Sequence, residues 1–394
     1  MFVDDLDLKY GTNRSLAGIA DINFVPLKTS NSKSEAPFLY PQALAKQYIL
    51  NKKPKYKTFD FTLLVNNCKS MPESRNNEYG TIMIHEILHG LGLTSLASVK
   101  ELYNNKNTDD DKKNQFLLFN KSNQYFFSPS AIYSYSKNIM EATNENEYLK
   151  LSNNTKITGF KPFSVFDKHL VSIKSGERIF KDLQFYYKEA NKNCLPENGS
   201  PLLKKDITNE YLSGCFKKFN SKTQNIVIRT TREYYFDYHT LGIKTIDGSI
   251  VPLQTLNGKY RYGSSVCHLT NPLYDEYLKR VKKFGENSAS VKELKTSSGS
   301  FKKEAILKYY DDNYVMYVSD EDNFTIKEML KILPNNQKHP LIGNGIIKIM
   351  ATLGWTVKGT KRNSKIHYID DTLHLPEANS IHCMNKEYEL SKKK

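Results

Sequence analysis

The sequence predicts an α+β fold, and three observations carry that reading. Along 58–66 (TFDFTLLVN), Phe59, Phe61, Leu63 and Val65 share one face at the two-residue period of a strand. Then Gly80 precedes TIMIHEILHGLG, whose apolar residues occupy most faces, as in a buried helix ending near Gly90 or Gly92. With 394 residues there is ample chain to bury a core. No apolar run approaches the roughly 18 to 20 residues needed to cross a bilayer, so a soluble protein is expected.

In chain order, 15–27 reads as a strand with its approach, and 40–50 (YPQALAKQYIL) as a helix with Pro41 in its first turn. The strand at 58–66 and the helix at 80–92 complete a strand, helix, strand, helix pattern. From 100 to 156 the chain is dense in Asn, Lys and Asp and reads as a surface insertion, with Asp109 to Asp111 a solvated acidic turn. Further helical or mixed segments are expected at 162–183 and 187–212, then a β-rich stretch covering 225–229 and 246–256 and leading to YRYGSSVCH at 260–268. A helix at 271–284, a polar loop at 285–300, a short apolar segment around Met316 and helices at 325–333 and 342–353 follow. Gly354 stops the last helix, and the polar tail of 358–394 is expected to be peripheral.

Charge and cysteine content narrow the function classes. The net charge is +15, but Lys and Arg fall in short scattered clusters rather than on one helix or among a recognisable aromatic motif. No nucleic-acid partner is therefore expected. The five Cys show no C-x-x-C spacing, which removes zinc ribbons and thioredoxin-like redox sites. Cys194 and Cys215 bracket a polar loop and could close it in an oxidising compartment. The acidic N-terminus lacks the features of a signal peptide, while sequons at Asn13, Asn120, Asn153, Asn198 and Asn323 would suit a secreted chain.

The chemistry lies in His85-Glu86-Ile87-Leu88-His89. On a helix, residues four apart stack on one face, so the two imidazoles can bind one zinc ion. Glu86 then sits beside the open coordination position, placed to take a proton from a metal-activated water attacking an amide carbonyl. Zinc hydrolases usually take three protein ligands, so a third must lie outside this helix. Gly92, three residues after His89, would let the chain turn sharply beneath the metal. Ser95 stands where the short form of the motif would place a third His, and Ser is a poor neutral ligand.

The chain resembles the leishmanolysin-like branch of the metzincins, in particular secreted fungal metallopeptidases of that kind. The resemblance rests on the zinc helix IMIHEILHGLGLTS and on YPQALAKQYIL, FDFTLLVNN, FSVFDKHL, YGSSVCHLT, NYVM and HPLIGNGIIKIMATLGWTV, spread over about 15 to 357. It implies a third ligand at His268, with Met316 as a Met-turn methionine packing below the imidazoles. Cys267 beside His268 would be a competing thiolate. Other candidates are His169 and His239, both in aromatic surroundings where a buried, hydrogen-bonded His is the ordinary reading, and Glu101 and Glu141, which lack a helical context. His339, His367, His374 and His382 are expected to be solvated.

The resulting expectation is a single metallopeptidase domain over 1–357. A twisted sheet and the active-site helix form an upper lobe at about 15–95, with insertions at about 98–160 and 185–225 and a helical or irregular lower lobe at about 226–357. The strand at 58–66 would be the sheet edge that pairs with an extended peptide. Function follows as a secreted, monomeric zinc endopeptidase acting on proteins or peptides, with Glu86 as general base and His85, His89 and His268 as ligands. The alternatives are a non-catalytic binding protein on this scaffold, or a zinc hydrolase of small amides or esters. If three rings hold one tetrahedral ion, their ligating nitrogens lie about 3 to 4 Å apart.

Overall fold

A computed structural model describes residues 2–3, 18–66, 79–101, 116–118, 125–129, 131–134, 156–181, 183–196, 200, 202–203, 206, 209–230, 240–255, 259–261, 266–297, 299, 301–309, 311, 313–317, 342–357, 365–373 and 375. They form mixed α and β structure with several small open sheets. The helix expected at 325–333, the acidic turn at Asp109 to Asp111, Cys68, Cys383 and the five sequons lie outside the described residues.

The first part of the chain builds β1 (Phe2–Val3), β2 (Gly18–Ile22), β3 (Phe24–Lys28), β4 (Phe38–Pro41), β5 (Ile49–Leu50) and β6 (Phe61–Asn66). The site helix, Tyr79–Gly90, packs against β2 and β6. β6 runs antiparallel to β2, from Gly18↔Val65 to Ile22↔Phe61, and parallel to β1 through Phe2↔Val65. It is therefore an inner strand, which corrects the expectation that 58–66 is the peptide-pairing edge. Among the described residues the open edge beside the site helix is β2. Asn23 N–H donates to Asp60 O at 3.0 Å on the β6 side. The alternation of an antiparallel strand then turns the Ala20 N–H to the open side.

The helix expected over 40–50 shrinks to one turn, Gln42–Ala45. All four residues of β4 are buried and pair with β3, from Phe24↔Pro41 to Leu27↔Phe38, so sheet burial overrides the helical period.

The region expected as a surface insertion contributes β7 (Ala97–Glu101), β8 (Phe116–Leu118), β9 (Tyr125–Pro129), β10 (Ala131–Ser134) and β11 (Lys156–Phe160). Beyond it come β12 (Leu170–Ser172), β13 (Leu202–Leu203), β14 (Leu241–Lys244), β15 (Ile250–Pro252) and β16 (Lys259–Arg261). Helices Tyr186–Asn193 and Asn209–Lys217 are joined by the Cys194–Cys215 disulfide, with a Cα–Cα distance of 5.0 Å. Residues 225–229, expected as strand, belong instead to helix Ser221–Thr230. The Asn220 side chain accepts from Thr223 N–H at 2.9 Å at its start, and Val227 and Thr230 bury one face at helical spacing.

Helices Pro272–Phe284, Ala289–Lys292 and Lys303–Tyr309 enclose a satellite core of Leu273, Leu294, Ala305 and Ile306. Helix Asn344–Leu353 returns to the main core and ends at Gly354 with φ 112°. A Cβ at Gly354 would lie 1.7 Å from Tyr48 Oη, whose hydroxyl donates to Leu353 O at 2.6 Å. Gly354→Ala is accordingly expected to lower stability by about 3 kcal/mol, through left-handed backbone strain, overpacking and a lost hydrogen bond. Denaturant unfolding of the two proteins measures it.

The tail expected to be peripheral supplies β17 (Ile366–Ile369). This strand lies between β3 and β5, antiparallel through Tyr368↔Lys28 and parallel through Ile366↔Ile49. His367, expected to be solvated, is buried with its ring centroid 4.1 Å from that of Tyr48. Asp370 pairs with Lys28 at 3.0 Å. Four residues are too short a run to show strand alternation against polar neighbours, and only long-range pairing defines them.

Candidate metal centre

His85 and His89 project from one face of the site helix, with Nε2 atoms 3.1 Å apart. His268 comes from 183 residues along the chain and brings its Nε2 to 3.0 Å from that of His85. The three ring centroids lie 4.7 to 5.0 Å apart. Among the described residues this is the one group of His, Cys, Asp or Glu close enough to hold a metal ion.

Hydrogen bonding decides which nitrogens are available. His85 Nδ1 is 2.6 Å from Val315 O, and His89 Nδ1 is 2.6 Å from Leu93 O. A carbonyl only accepts, so both Nδ1 atoms carry the proton and both Nε2 atoms present lone pairs. Burial holds His85 below its usual pKa. Burial and the neighbouring His85 lower His89 to about 3. Two neutral imidazoles thus aim unprotonated nitrogens at one another without a proton between them. That donor set fits a bound cation: ligands about 2.0 to 2.1 Å from a tetrahedral ion stand about 3.3 Å apart.

Local backbone geometry places each ring. Gly92, at φ 120°, turns the chain after the helix, and its N–H donates to His89 O at 2.9 Å. Leu93 N–H donates to Leu88 O at 3.1 Å, which sets the Leu93 carbonyl under His89. On the far segment Val266 is held at φ 75°, an outlier for a β-branched residue. It is buried, and its N–H donates to Gln254 O while Gln254 N–H donates to His268 O. These paired bonds fix the backbone that carries His268. Leu269 N–H donates to Met316 O at 3.0 Å, so the 3₁₀ turn Tyr314–Met316 is tied to the same segment. Met316 is fully buried there.

Glu86 is buried, and its carboxylate accepts the Ala20 N–H on the open edge of β2. Burial pushes its pKa up to about 7. The Cys267 thiol, 3.2 Å from His268 Nδ1, is pushed up to about 12 by burial and is no thiolate at neutral pH.

Of the other candidates, those whose side chains are described, His169 and His367, do not join the cluster. His169 ends a 3₁₀ turn at Asp167–His169, and burial with the nearby Lys168 lowers it to about 4. His367 lies in β17. Glu101 ends β7, and its side chain lies outside the described residues, as do Glu141, His239, His339, His374 and His382.

One side chain escaped the sequence reading. Asp167 is fully buried and bridges Ser95, Leu96 and Ser164. A lone Asp among aromatic residues in FSVFDKHL has no spacing that marks it.

A family model described as SPBPB7E8-like matches residues 27–378, a span that contains all three histidines and Glu86. No curated protein and no solved structure matches the chain.

Proposed function

The chain belongs to the SPBPB7E8-like family, and we propose that it is a zinc-dependent endopeptidase with a metzincin-like catalytic domain. The observation that supports this best is the convergence of the three His Nε2 atoms, two of them unprotonated because carbonyl partners hold the ring proton at Nδ1, beside a buried Glu86. His85, His89 and His268 would hold the ion, leaving one coordination position open. Three imidazoles suit several first-row metals, and an open tri-histidine site next to a carboxylate favours zinc. When bound, zinc supplies Lewis acidity toward a water and toward a carbonyl oxygen.

Glu86 accepts the proton of the attacking water and delivers it to the leaving amine. The Ala20 N–H orients its carboxylate from β2. The same open edge of β2 offers main-chain donors and acceptors to an extended peptide, which recognises backbone rather than particular side chains and suits endopeptidase action. Among the described residues no helix is long and apolar enough to cross a membrane. The Cys194–Cys215 bridge supports an oxidising, extracellular setting.

Elemental analysis and cleavage of a proteome-derived peptide library test the reading together. One zinc per chain is expected, with cleavage abolished by chelation and restored by zinc alone. Protein prepared in zinc-replete medium that holds no metal and cuts no peptide would overturn it.

A further inference from the structure

The helix that bears His85 and His89 ends at Gly90, yet the carbonyl that fixes the His89 tautomer lies beyond it, on Leu93. Residues 94–96 must therefore be held for His89 to be held. Thr94 O accepts from Ser164 Oγ at 2.9 Å. Ser95 Oγ donates to Asp167 Oδ1 at 2.5 Å, and Leu96 N–H donates to Asp167 Oδ2 at 2.9 Å. Ser164 N–H adds a further donor to Oδ2 at 2.9 Å, and Ser164 Oγ lies 2.8 Å from the same oxygen. Ser95 Oγ–H, Leu96 N–H and Ser164 N–H thus converge as donors on the two carboxylate oxygens.

Its mounting is rigid. Leu39 N–H donates to Phe163 O and Val165 N–H donates to Leu39 O, each at 2.9 Å, with Leu39, Phe163, Val165 and Phe166 all buried. No Lys or Arg is among these hydrogen-bonding partners. A carboxylate buried without a cation is costly, and apolar residues would fill the same space more cheaply. Asp167 joins segments about 70 residues apart with several hydrogen bonds, which an apolar side chain cannot do.

We propose that Asp167 is a positioning residue for the metal centre: through Ser95 and Leu96 it pins the loop after the site helix and so holds the Leu93 carbonyl against His89 Nδ1. Ser95, which stands where the short motif would have its third His, serves the second ligand in this arrangement. The inference rests on the tri-histidine site binding a metal.

The test measures zinc affinity of the full chain by competition with a chromogenic chelator, together with the visible spectrum at saturating cobalt(II) and the apo-protein Tm. Asp167→Asn and Ser95→Ala are each expected to weaken zinc binding by about tenfold and to shift the cobalt bands, as loss of a partner that orients a ligand does. Ile306→Val, in the satellite core, is expected to lower Tm alone. If both loop variants bind zinc like the wild type, with superimposable cobalt spectra, the positioning role is overturned while the metal site stands. If the wild type binds neither ion, both fall. Should Asp167→Asn fail to fold, Ser95→Ala decides the matter, since it leaves the carboxylate and its remaining donors in place.

Discussion

Glu86→Gln is expected to lower kcat/KM for peptide cleavage by about 10³-fold while leaving one zinc per chain, because the amide keeps the shape of the carboxylate but cannot take a proton. The wild-type pH profile supplies a second readout. Burial raises Glu86 to about 7, and the Ala20 N–H pulls it back by favouring the charged form. Only the deprotonated carboxylate is a base, so activity rises with pH through the Glu86 titration, which a bound cation draws below that value, and levels above it. The residual activity of the Gln variant should lack this limb. A Gln variant as active as the wild type would remove Glu86 from the chemistry, whatever metal is present.

His268→Ala is expected to weaken zinc binding by more than about 100-fold and to abolish cleavage, since loss of an outer-shell partner alone costs 10- to 100-fold. His169→Ala is the control. His169 lies outside the metal-capable cluster, so zinc content and activity should both survive its removal. Equal metal binding by the His268 variant would mean that another donor completes the site, and the assignment of the far segment would fail.

The pairing of His85 and His89 on one face of the site helix was legible because a four-residue spacing on one helix is local information. His268 was reachable only through family resemblance. Nothing in its own surroundings marks a ligand, and the sheet pairing and strained Val266 that deliver it exist only in three dimensions. The same divide runs through the fold. Helices Tyr79–Gly90, Pro272–Phe284 and Asn344–Leu353 agree with the local patterns of apolar spacing, an Asn271 cap and a Gly354 stop. The segments misread were those whose state depends on distant partners: 40–50, taken for helix although Tyr40 and Pro41 end β4 and Ile49 and Leu50 form β5, and 225–229, taken for strand because Ile226, Val227 and Ile228 are β-branched. Asp167 was missed for the same reason, as its partners Ser95 and Leu96 lie about 70 residues upstream.

The position of β17 has a consequence for biosynthesis. A ribosome making this chain from its N-terminus releases β3 and β5 some 300 residues before the strand that slots between them. Throughout that interval both must wait with unpaired backbone, open to pairing with a neighbouring nascent chain. His85, His89 and His268 emerge before this sheet can close, so their convergence and completion of the sheet are separable events in the life of one polypeptide.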